Sequence, residues 1–163
     1  MPIERHDTAR ISSLADIEES TRGTLISIGE NSVIDSFVKI KPAGGSGDVI
    51  IGKNVVINAG CVIYTGNGLL IQDNVAVAAN CVFAPVNHAY ERKDMLIREQ
   101  RFKPSRGGIL IEEDVWIGAG CVLLDGAILR RGCVIAAMSL VRAEIPAYTV
   151  WGGNPIKKLG ERQ

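Results

Sequence analysis

Aliphatic residues recur along this chain at steps of six. Eleven hexads open at Ile28, Ile34, Ile51, Ile57, Ile71, Val77, Ile111, Ile117, Leu123, Leu129 and Ile135. Four residues on stand Ser32, Val38, Val55, Cys61, Val75, Cys81, Val115, Cys121, Ala127, Cys133 and Ser139, none larger than valine. Three residues after each opener come Asn31, Asn54, Gly60, Asn74, Asn80, Asp114, Gly120, Gly126 and Gly132, with Phe37 and Met138 as the exceptions. Asparagine, aspartate and glycine tolerate positive φ. Two inward-facing positions with a left-handed turn between them describe a short strand and a corner. Such a unit covers its apolar face only when stacked on copies of itself, so the pattern predicts a solenoid. A helix would space its apolar residues by three and four, and the β-branched openers and flanking valines favour strand.

The frame breaks at residues 41–48 (KPAGGSGD), around Gly66-Asn67-Gly68, and from Pro85 to Gly108. The first two breaks are short and read as a turned corner and a bulged one. The third carries no hexad, and sets Arg92, Lys93, Arg98, Arg101, Lys103 and Arg106 against Glu91, Asp94 and Glu99. A polar loop that long inside a regular solenoid is a place for function or disorder. The domain reading is an N-terminal cap segment over 1–27, the repeat coil over 28–146 and a tail over 147–163. Residues 1–27 fit either a short helix or degenerate first strands. The ending WGGNPIKKLGERQ is a candidate for the polar cap that an exposed solenoid end needs.

Eighteen basic and eighteen acidic residues leave no net charge, which argues against a nucleic-acid footprint over the whole molecule. No apolar stretch approaches the roughly 20 residues that span a bilayer, and the MPIERHDTAR start is charged where a secretion signal turns apolar, so the expected location is cytoplasmic. The four cysteines all occupy the small inward slot, with no CxxC pair. They read as compact core residues rather than disulfide partners or metal ligands.

Two histidines limit the catalytic choices. His6 lies in the undecided N-terminal segment and reads as a surface residue. His88 begins the long loop just after a hexad ends, where the coil would hold its backbone and the loop could cover it. The stretch DNVAVAANCVFAPVNH, the charged loop, then ILIEEDVWIGAGCVLLDGAILRRGCVIAAMSLV and GGNPIKKL resemble the hexapeptide-repeat acyltransferases, in particular the sugar O-acetyltransferase branch that includes galactoside and maltose acetyltransferases. The resemblance covers roughly residues 28 to 160. Its landmarks are His88 at the loop's start, the Val115-Trp116-Ile117-Gly118 hexad after it, and Asn58 thirty residues before the histidine. Ala89 stands where the family has proline.

The resemblance implies an all-β fold, a left-handed parallel β-helix with one excursion loop (85–108) and a C-terminal tail. Three hexads make one triangular coil in that family, so residues 111–128 and 129–146 are expected as two uninterrupted coils. It implies an acetyl-CoA-dependent O-acetyltransferase acting on a sugar hydroxyl in surface polysaccharide biosynthesis, working as a homotrimer with the donor in the groove between neighbouring prisms. His88 would be the general base, Asn58 would hydrogen-bond the acceptor and Trp116 would line its pocket. The Ala119 N–H would steady the oxyanion, the backbone near Ala119 and Ala137 would contact coenzyme A, and Arg142, Lys157 and Lys158 would meet its phosphates.

The chemistry suits such a histidine. Acetyl-CoA is already an activated thioester, so what remains is to place the acceptor and take its proton, which an imidazole of pKa about 6.5 does at neutral pH. Taken without the resemblance, Asn58 is an ordinary corner residue, Trp116 a surface aromatic and each lysine solvated charge.

An N-acetyltransferase acting on a nucleotide-linked amino sugar would use the same base and donor, with the loop's cations on the diphosphate. A γ-class carbonic anhydrase shares the coil but needs three histidines around zinc. This chain has two, and no metal is expected. A non-catalytic scaffold would need neither the histidine-bearing loop nor the tail.

Overall fold

The computed structural model describes residues 3–163. Met1 and Pro2, the first residues of the expected N-terminal segment, lie outside them. The chain winds through three sheets in turn. Sheet A contains β1 (Ile3–Arg5), β4 (Ile26–Ile28), β7 (Val49–Ile51), β10 (Leu69–Ile71), β13 (Ile109–Ile111), β16 (Ile128–Leu129) and β19 (Glu144–Ile145). Sheet B contains β2 (Arg10–Ile11), β5 (Val33–Ile34), β8 (Val56–Ile57), β11 (Ala76–Val77), β14 (Trp116–Ile117), β17 (Val134–Ile135), β20 (Thr149–Gly152) and β21 (Lys157–Glu161). Sheet C contains β3 (Asp16–Ile17), β6 (Lys39–Lys41), β9 (Val62–Tyr64), β12 (Val82–Ala84), β15 (Val122–Leu124) and β18 (Leu140–Val141). All of these strands pair in parallel except β20 with β21, and the coil is a left-handed β-helix. Among the described residues no helix is long and apolar enough to cross a membrane.

The hexad frame is the packing rule of this coil. Every opener and every small-slot residue is at most 2% exposed. All eleven intermediate positions hold positive φ, and the two exceptions of composition obey too, with Phe37 at 62° and Met138 at 61°. The reason is a bond between coils. At successive corners the N–H of Asn80 donates to the Ala59 carbonyl, that of Gly120 to Ala79 and that of Met138 to Ala119. Only a left-handed residue turns the chain while keeping that donor aligned, so the geometry binds even a phenylalanine.

The small slot does more than exclude bulk. The thiol of Cys61 donates to the Ala78 carbonyl and that of Cys81 to Gly118, each across 3.2 Å. In the same slot elsewhere, the hydroxyl of Ser32 donates to the Gly52 carbonyl at 2.7 Å. A buried corner carbonyl left bare would cost about 1–3 kcal/mol, so a small hydrogen-bond donor is the useful residue there. All four cysteines are buried and free.

Both ends depart from the expected boundaries. Residues 3–17 form the first coil rather than a separate cap: Arg5 pairs with Ile28, Ile11 with Ile34 and Ile17 with Ile40. With only one neighbouring coil, its inward residues stay partly exposed. At the other end Pro146 does not stop the frame. Tyr148 takes the left-handed corner at φ 58° and Trp151 continues the inward register opposite Ile135. The tail then folds back as β21 along β20 and covers the edge of sheet B.

The interruptions share one corner. The two tight corners, A to B and B to C, hold four-residue links except for residues 146–148 before β20, whereas residues 42–48, 65–68 and 85–108 all leave between sheets C and A. Their glycines pack backbone on backbone. A Cβ on Gly45 would lie 2.2 Å from the Gly66 carbonyl oxygen, and one on Gly108 would lie 2.5 Å from that of Gly68.

Candidate active site

His88 follows β12 at the C-to-A corner, and the long loop is anchored there by a short antiparallel bridge between His88 and Phe102. The Ala89 N–H donates to the Arg101 carbonyl at 2.9 Å, and the Lys103 N–H to the Asn87 carbonyl at 2.8 Å. The imidazole lies against the Phe102 ring, with centroids 4.8 Å apart and planes tilted by 45°. Neither ring nitrogen of His88 bonds to any group among the described residues, which leaves both free for a substrate. Arg101, the residue before Phe102, sits at φ 62° and ψ −136°. That is a conformation costly for a side chain, and here it sets the aromatic ring on the imidazole.

The bridge separates two hollows. On one side a hollow of about 330 Å³ is lined by Ala43, Tyr64, Ala84, Val86, His88 and Phe102. On the other, one of about 290 Å³ gathers Asn87, Tyr90, Lys103, Arg106, Asp125 and Arg142. Lys103 lies 2.5 Å from the Glu91 carboxylate and 4.2 Å from the Tyr90 ring centre. That ammonium, followed by the Tyr90 N–H, pulls the Glu91 carboxyl down to about 2. Arg106 and Arg142 enter no ion pair among the described residues. The return of the loop is fastened by Asp125, which is 2% exposed and accepts from the N–H groups of Arg106 at 2.8 Å and Gly108 at 2.9 Å.

The other expected site residues lie on a different edge of the same prism. Asn58, Ala119 and Ala137 belong to the B-to-C corner, and Trp116 projects from sheet B next to it, 54% exposed. The Asn58 side-chain amide donates to the Val77 carbonyl at 2.8 Å, which leaves its oxygen and its second N–H free. The N–H groups of Ala119 and Ala137 donate to nothing among the described residues, while the Ala119 carbonyl is taken by Met138. Lys157 and Lys158 sit on β21 at the sheet B edge, with Lys158 paired to Glu161. Arg142 is therefore apart from the two lysines expected to share its phosphates. One chain does not bring His88 together with Asn58, Trp116 or Ala119. Tyr64, Phe102 and Asp125 were not singled out in the sequence; of these, only Asp125 carried a signal, as an acid just before the corner glycine Gly126 at the loop's root.

Comparison with known proteins adds the family. Residues 108–143 match the family described as Bacterial transferase hexapeptide (six repeats). The mitochondrial gamma carbonic anhydrase 2 of Arabidopsis thaliana is 35% identical over 157 residues, covering 86% of this chain and 55% of that protein, so the chain spans about half that relative's length. The dTDP-4-amino-4,6-dideoxy-D-glucose acyltransferase of Escherichia coli is 29% identical over 84% of this chain and 72% of its own. Among solved structures, AntD, an N-acyltransferase from Bacillus cereus in complex with dTDP and coenzyme A, superposes with a TM-score of 0.83 at 22% identity, covering 98% of this chain and 84% of that one. A hexapeptide-repeat acetyltransferase of Vibrio cholerae complexed with acetyl-coenzyme A gives a TM-score of 0.69 at 27% identity, over 83% of this chain and 70% of that one. The chain is thus similar to the bacterial transferase hexapeptide family over residues 108–143, and the six-residue register of those repeats runs through the other coils as well.

Proposed function

We propose that this protein is an acetyl-CoA-dependent O-acetyltransferase that acts on a sugar hydroxyl, in the cytoplasm and in the service of surface polysaccharide assembly, with His88 as general base. The observation that carries the reading is the unpartnered imidazole, held at the root of the excursion loop against Phe102 and open to a hollow of about 330 Å³. In the reaction a ring nitrogen of His88 takes the hydroxyl proton as the oxygen attacks the thioester carbonyl. The tetrahedral oxyanion is met by the free N–H of Ala119, and the coenzyme A sulfur leaves with the proton returned by the imidazolium. Asn58 and Trp116 would hold the acceptor. The unpaired N–H of Ala137, Arg142, Lys157 and Lys158 would hold the donor, the cations by its phosphates. The Vibrio cholerae neighbour's complex with acetyl-coenzyme A supports that donor.

Those groups lie on two edges of one prism, so the reading requires a homotrimer in which the C-to-A edge of one copy faces the B-to-C edge of the next. The B-to-C edge supports this. Phe37 and Met138 are 67% and 75% exposed there and hold left-handed conformations. An exposed apolar side chain on a strained backbone is doubly unfavourable unless a partner covers it.

A second reading, N-acetylation of a nucleotide-linked amino sugar, is favoured by the Escherichia coli relative and by the AntD complex with dTDP. The carbonic anhydrase relative supports no third one: a three-histidine zinc site shared between two copies needs two histidines from one of them, and His6 lies at an A-to-B corner of the first coil while His88 lies at a C-to-A corner. Incubation with acetyl-CoA and a panel of sugar and amino-sugar acceptors, with free thiol release as the signal, tests the proposal. An O-acetyl product is cleaved by mild alkali and an amide is not. Thiol release with no acceptor in the panel would overturn it.

A further inference from the structure

We propose that the hollow beside His88 takes an uncharged sugar ring by its apolar face, and that Tyr64 and Phe102 are the side chains that select it. The inference rests on the transferase reading above and names the acceptor class within it. No charged side chain lines this hollow: its walls are alanine, valine and two aromatic rings, and its polar side chains are the His88 imidazole and the Tyr64 phenol. Neither of these bonds to any other group among the described residues, so each is free for a sugar oxygen. At about 330 Å³ the hollow is at the small end of the roughly 300–1,000 Å³ found for ligand sites, which suits one ring rather than a whole nucleotide sugar.

The sorting of charge around it is the strongest argument. Asn87 and His88 are neighbours in sequence, as are Phe102 and Lys103, yet one member of each pair lines the polar hollow and the other the apolar one. The paired backbone of the bridge alternates its side chains, so cations collect on one side and aromatic surface on the other. A carboxylate or phosphate on the ring would enter the aromatic side without a countercharge, which is strongly unfavourable. A ring with a deoxygenated carbon presents C–H groups that pack on the faces of Tyr64 and Phe102, and gains from both their area and their polarised faces.

The test uses the full-length protein and three sets of methyl glycosides, each in gluco, galacto and manno configurations: 6-deoxyhexosides, hexosides and hexuronides. Thiol release from acetyl-CoA gives kcat/KM, and saturation-transfer NMR without acetyl-CoA gives binding independently of turnover. The 6-deoxyhexosides should exceed the matching hexuronides by about tenfold or more in kcat/KM, with saturation strongest at their methyl protons. Tyr64→Ala should abolish that saturation and lower acceptor kcat/KM about 10- to 100-fold at unchanged KM for acetyl-CoA. Tyr64→Phe, which keeps the ring and the packing, should lose less than about tenfold. Equal or better binding of the hexuronides, or unchanged binding by Tyr64→Ala, would overturn the proposal. The two readings fail separately. Deoxyhexoside binding with no thiol release from any acceptor keeps the hollow and removes the transferase; thiol release that favours the hexuronides does the reverse.

Discussion

The thiol of Cys121 donates across 3.2 Å to the carbonyl oxygen of Ala136 in the next coil. The cysteine is thus both filler and donor, and its substitutions should separate the two roles. Cys121→Ala removes volume and leaves the carbonyl bare, for a loss of about 1–3 kcal/mol. Cys121→Ser keeps a donor of the kind Ser32 already supplies in the same slot and should cost less than half as much. Urea unfolding measures both, and turnover of the folded fraction should stay near wild type. Equal losses for alanine and serine would show that the hydrogen bond contributes nothing.

Burial pushes the Cys133 thiol from 9.0 up to about 12. Because the folded value is raised, the protonated thiol favours the folded state: the contribution is complete below pH 9 and is lost as pH rises toward 12. Stability should therefore fall across that window, and less steeply in Cys133→Ala. Urea midpoints taken at intervals from pH 8 to 11 check it; identical slopes for the two proteins would contradict the buried thiol.

His88→Ala should lower kcat by roughly 10²- to 10⁴-fold with little change in the KM for acetyl-CoA, since the lost interaction forms in the transition state. An amine acceptor sheds its proton to solvent before attack. If the second reading holds, the loss is milder and partly recovered at high pH. Near-normal turnover by His88→Ala on the best acceptor would remove the general base from the mechanism.

If the site is shared between copies, inactive His88→Ala and Asn58→Ala chains should complement one another. Random mixing by co-expression would leave about a quarter of the sites with both residues intact, and activity near that fraction of wild type is expected. Purified trimers of each variant alone should stay inactive. A mixture no better than its parents would mean that each chain works alone.

Asp125 ties down the loop's return at two N–H groups, those of Arg106 and Gly108, so Asp125→Ala should cost about 2–3 kcal/mol and depress activity beyond what stability explains. Limited proteolysis should then cut within residues 85–108. An unchanged digestion pattern would show that the bridge at His88 suffices to hold the loop.

Most of the coil was legible because its rule is local: six residues carry an opener, a left-handed turn and a small inward slot. The first coil reads in sequence as either degenerate strands or a short helix, because Arg5 stands where Ile28 stands above it; at an open end an opener meets solvent on one side and need not be apolar. The far boundary was missed because Pro146 falls just after an opener, where the chain turns a corner. His88 was visible as a histidine at the start of a long loop. Tyr64 and Phe102 were not, since outward strand residues and loop aromatics follow no periodicity, and their meeting depends on how the loop folds back. Nor did the sequence reveal that Asn58 and His88 occupy different edges, because counting coils gives height along the prism while the edge depends on which corner each excursion leaves from.

That all the insertions leave from one corner divides the molecule into a chassis and a variable module. Two edges carry the bonds that set pitch and register, and an added residue there would shift every later strand off its partner. The third edge absorbs added length without disturbing either. Exchanging residues 85–108 for a loop of another length and composition should therefore change which acceptor is chosen while the rod keeps its melting behaviour, and specificity in this molecule can diverge without renegotiating its fold.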